Sequence, residues 1–262
     1  SENYSQYEWV FAHRSQISLA KLSVLKNQLE GIQPNIILNC GAYTAVDKAE
    51  TELELADIVN HDAVKVIAQY ANDNQVKLIH ISTDYVFDGT SSTALKEDAI
   101  TNPINVYGAT KRAGELAALA VNPDVLIIRT SWVYSRFGNN FVKTMQQLLK
   151  ERDTLSVVKD QIGSPTYAAD LAQAMMDILI SDKWIPGIFN YSNEGEVSWY
   201  EFVLAIQEIT EEKCEVSGIP SSSYPTPAVR PAFSLLDKSK IKDVYGVTVP
   251  DYKESLRKFM GL

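Results

Sequence analysis

Residues 102–115 read NPINVYGATKRAGE, and within them Tyr107 and Lys111 stand four positions apart. Helical residues at i and i+4 share one face about a turn apart, so a helix here points phenol and ammonium the same way. A free tyrosine titrates near about pH 10, and an adjacent ammonium stabilises its phenolate and draws it towards the range useful for proton transfer. The pair is therefore expected to be a tunable proton donor, and Gly108 leaves room beside the phenol for a bulky planar group. Asn102 and Pro103 are expected to open this helix, an amide cap followed by proline at the first helical position. An isolated Tyr-x-x-x-Lys is more often a surface pair. The run KLIHIST shifts that balance, because it reads as a buried strand whose end carries Ser82, Thr83 and Asp84. A strand-end hydroxyl beside the phenol can bond a carbonyl oxygen and polarise it.

The elements that must position these groups alternate short Val/Ile-rich runs with longer segments of helical period, which predicts βαβ units and a parallel sheet. Strands are expected at EWVFAH (8–13), NIILNC (35–40), VKLIHIST (76–83), VLIIRTSWVY (125–134), SVVKD (156–160) and IFNYS (188–192). Helices are expected over 19–29, 54–72, 103–119, 141–149, 168–180, 198–210 and 252–259. The fold class this predicts is α/β, a Rossmann-like doubly wound parallel sheet, with a smaller C-terminal substrate domain. Residues 1–134 form the dinucleotide-binding part and 135–262 the mainly substrate-binding part, with 155–190 partly returning to the first sheet. A dinucleotide fold normally opens with a strand and a Gly-rich turn that brings backbone amides to the pyrophosphate. No Gly-x-Gly-x-x-Gly occurs in the sequence, so the first strand and that loop are expected to be missing upstream of Ser1.

The chain has 262 residues and a formal charge of −9. Backbone recognition of nucleic acid needs a basic face, so nucleic acid is disfavoured as a partner. The apolar runs are of strand length rather than membrane length and no cationic leader precedes them, from which no membrane association and a cytoplasmic location are expected. Cys40 and Cys214 lack metal-ligand spacing and are expected to be buried, inert thiols. His61 and His80 read as packing residues, and no metal site is expected.

Thr83, Tyr107 and Lys111 together resemble the catalytic set of the extended, nucleotide-sugar branch of the short-chain dehydrogenases/reductases. GAYTAVDKAE (41–50), STDYVFDG (82–89), NPINVYGATKRAGE, RTSWVYSRFGNNFVKTM (129–145), DQIGSPT (160–166), YPTPAVRPAFSLLD (224–237) and VPDYKESL (249–256) narrow the resemblance to the dTDP-4-dehydrorhamnose reductase family, over nearly the whole chain. The resemblance implies hydride delivery from NADPH to the C4 ketone of a dTDP-4-keto-6-deoxy sugar, dTDP-4-dehydro-L-rhamnose, in dTDP-rhamnose synthesis for cell-surface polysaccharide. Tyr107 would protonate the alkoxide, Thr83 would bond the same oxygen, and Lys111 would bind the nicotinamide ribose and depress the Tyr107 pKa. It further implies sugar and nucleotide contacts from Asp84, Trp132, Asn140, Gln161 and Arg230, and dinucleotide contacts from Cys40, Gly41, Ala42, Tyr43 and Thr44. A homodimer is implied as well. Some members use Mg2+, for which the sequence offers no spaced carboxylate set.

The expected second strand runs into His13, Arg14 and Ser15 with no acid nearby. Because an acidic residue at this place bonds the NAD ribose and arginine accommodates a 2′-phosphate, NADPH is favoured over NADH. Alternatives are a related nucleotide-sugar epimerase and a non-catalytic NADP-binding subunit resembling the methionine adenosyltransferase beta subunit. A dehydratase needs a second carboxylate after Asp84, where Tyr85 stands.

Overall fold

The computed structural model describes residues 4–181 and 183–262. Chain order begins with α1 (Leu22–Ile32), β1 (Ile36–Asn39), α2 (Val46–Ala49) and α3 (Leu53–Asp57), which continues through a π-turn (Ile58–Asp62) into α4 (Ala63–Asp73). It proceeds through β2 (Lys77–Thr83), α5 (Val106–Val121), β3 (Leu126–Thr130), β4 (Val133–Tyr134), α6 (Phe141–Glu151), β5 (Thr154–Val158), β6 (Ile162–Gly163) and β7 (Thr166–Tyr167). It closes with α7 (Ala168–Ile180), β8 (Gly187–Asn190), β9 (Val197–Ser198), α8 (Trp199–Thr210), β10 (Glu215–Ile219), α9 (Ser239–Tyr245) and α10 (Tyr252–Met260).

Strands β1, β2, β3 and β8 form one parallel sheet in that order. Their apolar residues alternate between its faces, as a period of two requires. Leu78 and Ile127 join Leu25, Val64, Ile67 and Ala118 on one face, while Ile79, Leu126 and Ile128 join Leu171, Met175 and Phe189 on the other. The sheet is thus covered on both sides, the condition under which parallel strands become near-continuous apolar runs. All five residues of β3 are buried. A further apolar cluster, including Tyr134, Val142, Phe202, Ile206, Leu256 and Phe259, gathers around α6, α8, α10 and the parallel pair β5–β10. No helix among the described residues is long and apolar enough to cross a membrane.

Four local expectations are corrected. Residues 8–13 form no strand: Val10 and Phe11 are 56% and 74% exposed, and Trp9 stacks on Phe11. A strand needs a ladder, and the hydrogen-bonded order of the sheet places β1 at its edge, paired to β2 alone. Helix α5 opens at Asn105 rather than Asn102, because the Asn105 Oδ1 accepts the Gly108 N–H at 2.7 Å while Asn102 donates to Asp88. The predicted helix over 54–72 is divided by the π-turn. There the Asn60 side chain accepts the Tyr43 N–H at 2.8 Å and donates to Tyr43 O at 3.1 Å, joining the segment after β1 to the helix. Cys40, expected to be buried, lies exposed just beyond the end of that edge strand, whereas Cys214 is buried.

The π-turn also sets how closely α5 can approach. A Cβ on Gly114 would collide with the Asn60 carbonyl oxygen, so only glycine permits this backbone contact. Gly114→Ala is expected to lower the unfolding free energy by about 1–3 kcal/mol through overpacking. The urea midpoint, followed by circular dichroism, measures it.

Candidate active site

Thr83 ends β2, and the sheet register places it opposite Thr130 at the end of β3. This is the carboxyl side of a parallel sheet, where side chains emerge into the crevice beyond the strands. Helix α5 crosses this end and carries Tyr107 and Lys111. Its first turn is fixed by the Asn105 cap, whose Nδ2 also donates to Val229 O at 2.8 Å, and by Glu50, which accepts the Val106 N–H at 2.9 Å.

The helix is fixed further along by Glu115. This fully buried carboxylate accepts paired bonds from Arg129 of β3 at 2.8 and 2.9 Å, the Ser82 hydroxyl of β2 at 2.6 Å and Arg112 at 2.7 Å. Its pKa stands below the ordinary carboxylate range: burial alone would raise it, but Arg129, Ser82 and Arg112 together outweigh that. Glu115 lies one helical turn beyond Lys111, so the network orients both functional side chains by orienting their backbone.

Lys111 is 1% exposed. Its Nζ donates to Ile81 O at 2.6 Å and lies 3.4 Å from Nε2 of His80, whose Nδ1 lies 3.0 Å from the Asn39 amide. Burial brings its pKa down to about 8, Glu115 acting in the opposite sense. Burial and the Lys111 charge hold His80 well below the usual histidine value, so it stays neutral. His80, read from the sequence as mere packing, thus touches the lysine head. Glu115 was also missed, although its spacing from Lys111 repeats that between Tyr107 and Lys111.

The expectation that Lys111 lowers the Tyr107 pKa is corrected. Burial pushes the phenol up to about 12, with the Thr83 hydroxyl lowering it and Asp84 raising it. The lysine head bonds inward to Ile81, so the phenol is kept protonated at neutral pH, the state a proton donor needs. Tyr85 stands edge-on to Tyr107 with ring centroids 5.7 Å apart. Asp84 is 2% exposed, accepts the Thr83 hydroxyl at 3.0 Å through Oδ1, and is pushed up to about 6 by burial.

The remaining sequence-derived candidates fare unequally. Arg230 makes a two-point ion pair with Asp47 at 2.8 and 3.0 Å, tying the 224–231 loop to α2. Trp132, at a φ of +47°, stacks on Trp199 with centroids 3.6 Å apart and lies against Gly163. Asn140 caps α6 and spends its amide on Lys143 N and Ser135 O. Gln161 is half-buried directly before β6. His13 and Arg14 sit in an exposed turn, with His13 bonded locally to Ser15.

The segment meant for a dinucleotide is already bonded within the chain. The Cys40 N–H goes to Leu38 O, the Gly41 N–H to Asn39, and the Tyr43 N–H to Asn60. The Leu19 side chain occupies the place a Cβ on Gly41 would take. Ala42 and Thr44 belong to the same irregular stretch before α2. The nicotinamide-ribose end fits better: an ammonium has three N–H donors, and two of those on Lys111 face Ile81 and His80, leaving one for a ribose hydroxyl. Where α3 runs into the π-turn, Asp57, His61 and Asp62 bring one ligand atom each within 4.8 Å of one another, and His61 already pairs with Asp57 at 3.1 Å.

The family described as the RmlD substrate binding domain matches the chain over residues 2–261. The chain is 39% identical to a dTDP-4-dehydrorhamnose reductase of Aggregatibacter actinomycetemcomitans, over 96% of this chain and 89% of that protein. It is 43% identical to one from Sinorhizobium fredii, over 94% and 86% respectively. A solved dTDP-4-dehydrorhamnose reductase of Bacillus anthracis in complex with NADP superposes with a TM-score of 0.92 at 37% identity, covering 98% of this chain and 90% of that one.

Two outcomes follow from the buried charges. Arg129→Ala leaves the buried Glu115 charge to Arg112 and Ser82 alone and is expected to remove about 3 kcal/mol of stability, read from urea unfolding. Asp84 has the opposite sense, because its folded pKa is raised. Below the ordinary aspartate range it is neutral in both folded and unfolded chains. As pH rises towards about 6 the unfolded chain releases the proton first, and stability falls. Asp84→Asn is therefore expected to gain about 1–3 kcal/mol at pH about 8 and nothing at pH about 3, by the same measurement.

Proposed function

The chain belongs to the RmlD substrate binding domain family, and on that premise we propose that it catalyses NADPH-dependent reduction of the C4 ketone of dTDP-4-dehydro-L-rhamnose to dTDP-L-rhamnose. The observation that carries this reading is the meeting of Thr83, Tyr107 and a buried Lys111 at the carboxyl end of the parallel sheet. NADPH supplies the hydride when bound. Lys111 holds the nicotinamide ribose through its remaining N–H. The Thr83 hydroxyl bonds the C4 oxygen, and Tyr107 gives that oxygen its proton as negative charge develops there.

Trp132, set by its stack on Trp199, offers a face to the sugar. Asp84 lies beside the reacting oxygen, while Gln161 and the 224–231 loop supply the nucleotide side. Arg230 reaches a diphosphate only by leaving Asp47. The reading favours NADPH over NADH, supported by the NADP bound to the B. anthracis relative. Residence in the cytoplasm, read from apolar runs too short to span a membrane, and assembly as a homodimer, on the family resemblance alone, complete the reading. Dehydration is disfavoured because Tyr85, packed edge-on against Tyr107, holds the place a second carboxylate would need.

The test is NADPH oxidation, followed by absorbance, by the protein of the complete open reading frame with enzymatically generated dTDP-4-dehydro-L-rhamnose. The parent is expected to turn over, and Tyr107→Phe to lose about 100-fold or more in kcat with an unchanged circular dichroism spectrum. Absence of turnover in the parent would overturn the assigned reaction.

A further inference from the structure

Asp84 is a buried ionisable group to which the mechanism above gives no chemical task. Its Oδ1 is bonded to the Thr83 hydroxyl at 3.0 Å, and its Oδ2 is enclosed without a hydrogen-bond partner. The groups facing it are hydroxyls and amides: Thr83, Ser234 from the segment that follows the Arg230 loop, and the Tyr85 backbone N–H. Ser234 approaches without closing a bond to Oδ2. The titratable neighbours are the phenols of Tyr85 on its own turn and Tyr107 on α5, neither of which offsets a negative charge.

A buried carboxylate with one bare oxygen is unfavourable, whereas a neutral acid in the same place has a proton to donate and less charge to desolvate. The two states also turn Thr83 in opposite directions. Thr83 Oγ1 already accepts the Tyr85 N–H at 3.2 Å. A hydroxyl has one proton to give and two lone pairs. If Asp84 is ionised, it takes the only Thr83 proton, and Thr83 presents a lone pair to the substrate oxygen. If Asp84 is protonated, Thr83 accepts from both Tyr85 and Asp84, and its own proton is free to point outward.

We propose that Asp84 works as a neutral carboxylic acid, a positioning residue whose O–H, donated to Thr83 Oγ1, turns the Thr83 proton towards the reacting oxygen of the substrate. The inference rests on the reduction proposed above and adds a determinant to the same site. Burial places the Asp84 pKa at about 6 in the free protein, so the competent form predominates below that pH. A bound nucleotide diphosphate adds negative charge and excludes water, which raises the value further.

The experiment uses the full chain, with Asp84→Asn and Asp84→Ala. Carboxyl titration by NMR on 13C-aspartate-labelled protein, without substrate, is expected to give one signal with a midpoint near about 6 that vanishes in Asp84→Asn. In the parent, kcat/KM, which reports the free enzyme, is expected to fall at least tenfold as pH rises from about 5 to about 8. In Asp84→Asn the amide N–H is a permanent donor to Thr83, so the profile should be flat from pH about 5 to about 7 and change no more than about twofold by pH about 8, where Lys111 begins to lose its proton. Asp84→Ala lacks the donor and should lie at least tenfold below Asp84→Asn at every pH, with circular dichroism reporting that both variants fold. An Asp84 midpoint in the ordinary aspartate range, or a falling limb that persists unchanged in Asp84→Asn, overturns the proposal. If no keto sugar is reduced at any pH, the reduction reading fails, and the role of Asp84 at the reacting oxygen falls with it. The carboxyl titration separates the two failures, because a midpoint near about 6 leaves the neutral acid standing and an ordinary one removes it too.

Discussion

The bonding of Glu115 to Arg129 and Ser82 is the interaction on which the site depends. A helix packed on a sheet by apolar contacts alone can slide or rotate with little penalty, because dispersion is weak per contact and non-directional. A buried carboxylate gripped at two points by a guanidinium has one register, since a shift leaves charges desolvated and unpaired. Here the grip joins α5 to both β3 and β2. The residues it aligns are Thr83, one position after Ser82, and Lys111, one turn before Glu115. Gly114, next to Glu115 in the chain, lets the same helix press against the π-turn. Charge pairing and the absence of a side chain thus set one helix position from two sides.

Amides do much of the remaining positioning. Asn105 caps the helix and reaches the 224–231 loop, Asn60 fixes the segment after β1, and Asn39 meets His80 behind the lysine. An amide both donates and accepts without carrying charge, so it satisfies buried backbone groups at a lower desolvation cost than a carboxylate or ammonium. The titratable groups left in the site, Lys111, Tyr107 and Asp84, each have their charged form disfavoured by burial. That shared direction keeps the proton on the phenol and draws the acid towards its neutral form, which suits a reaction whose developing charge is an alkoxide.

The ion pair of Asp47 with Arg230 has a different character. It joins α2, just after the first strand of the sheet, to a loop 183 positions away, and it is partly open to water. It places the Pro-rich loop against the same α5 terminus that Asn105 anchors, bringing the chain's C-terminal third to the site assembled by its first half.

Much of the fold and the grouping of the candidate residues was legible in the residues themselves. Parallel strands at 36–39, 77–83, 126–130 and 187–190 follow from apolar runs of strand length, and Tyr107 and Lys111 share a face because helical geometry is local. The segment 8–13 had the right composition for a strand and did not become one, since a ladder is a property of two segments and composition describes one. The direction of the Tyr107 pKa was misread for a related reason. Sequence spacing places the ammonium near the phenol, but burial and the inward turn of Lys111 to Ile81 are set by how α5 lies on the sheet. Likewise Arg230 is a loop arginine in the sequence and an Asp47 partner only in space, and Asp84 is a strand-end carboxyl until packing encloses it. Residue type and spacing determined which groups are available for proton transfer. Which are charged, paired or aimed at a substrate was decided by desolvation and by contacts between distant segments, quantities that exist only once the chain has folded.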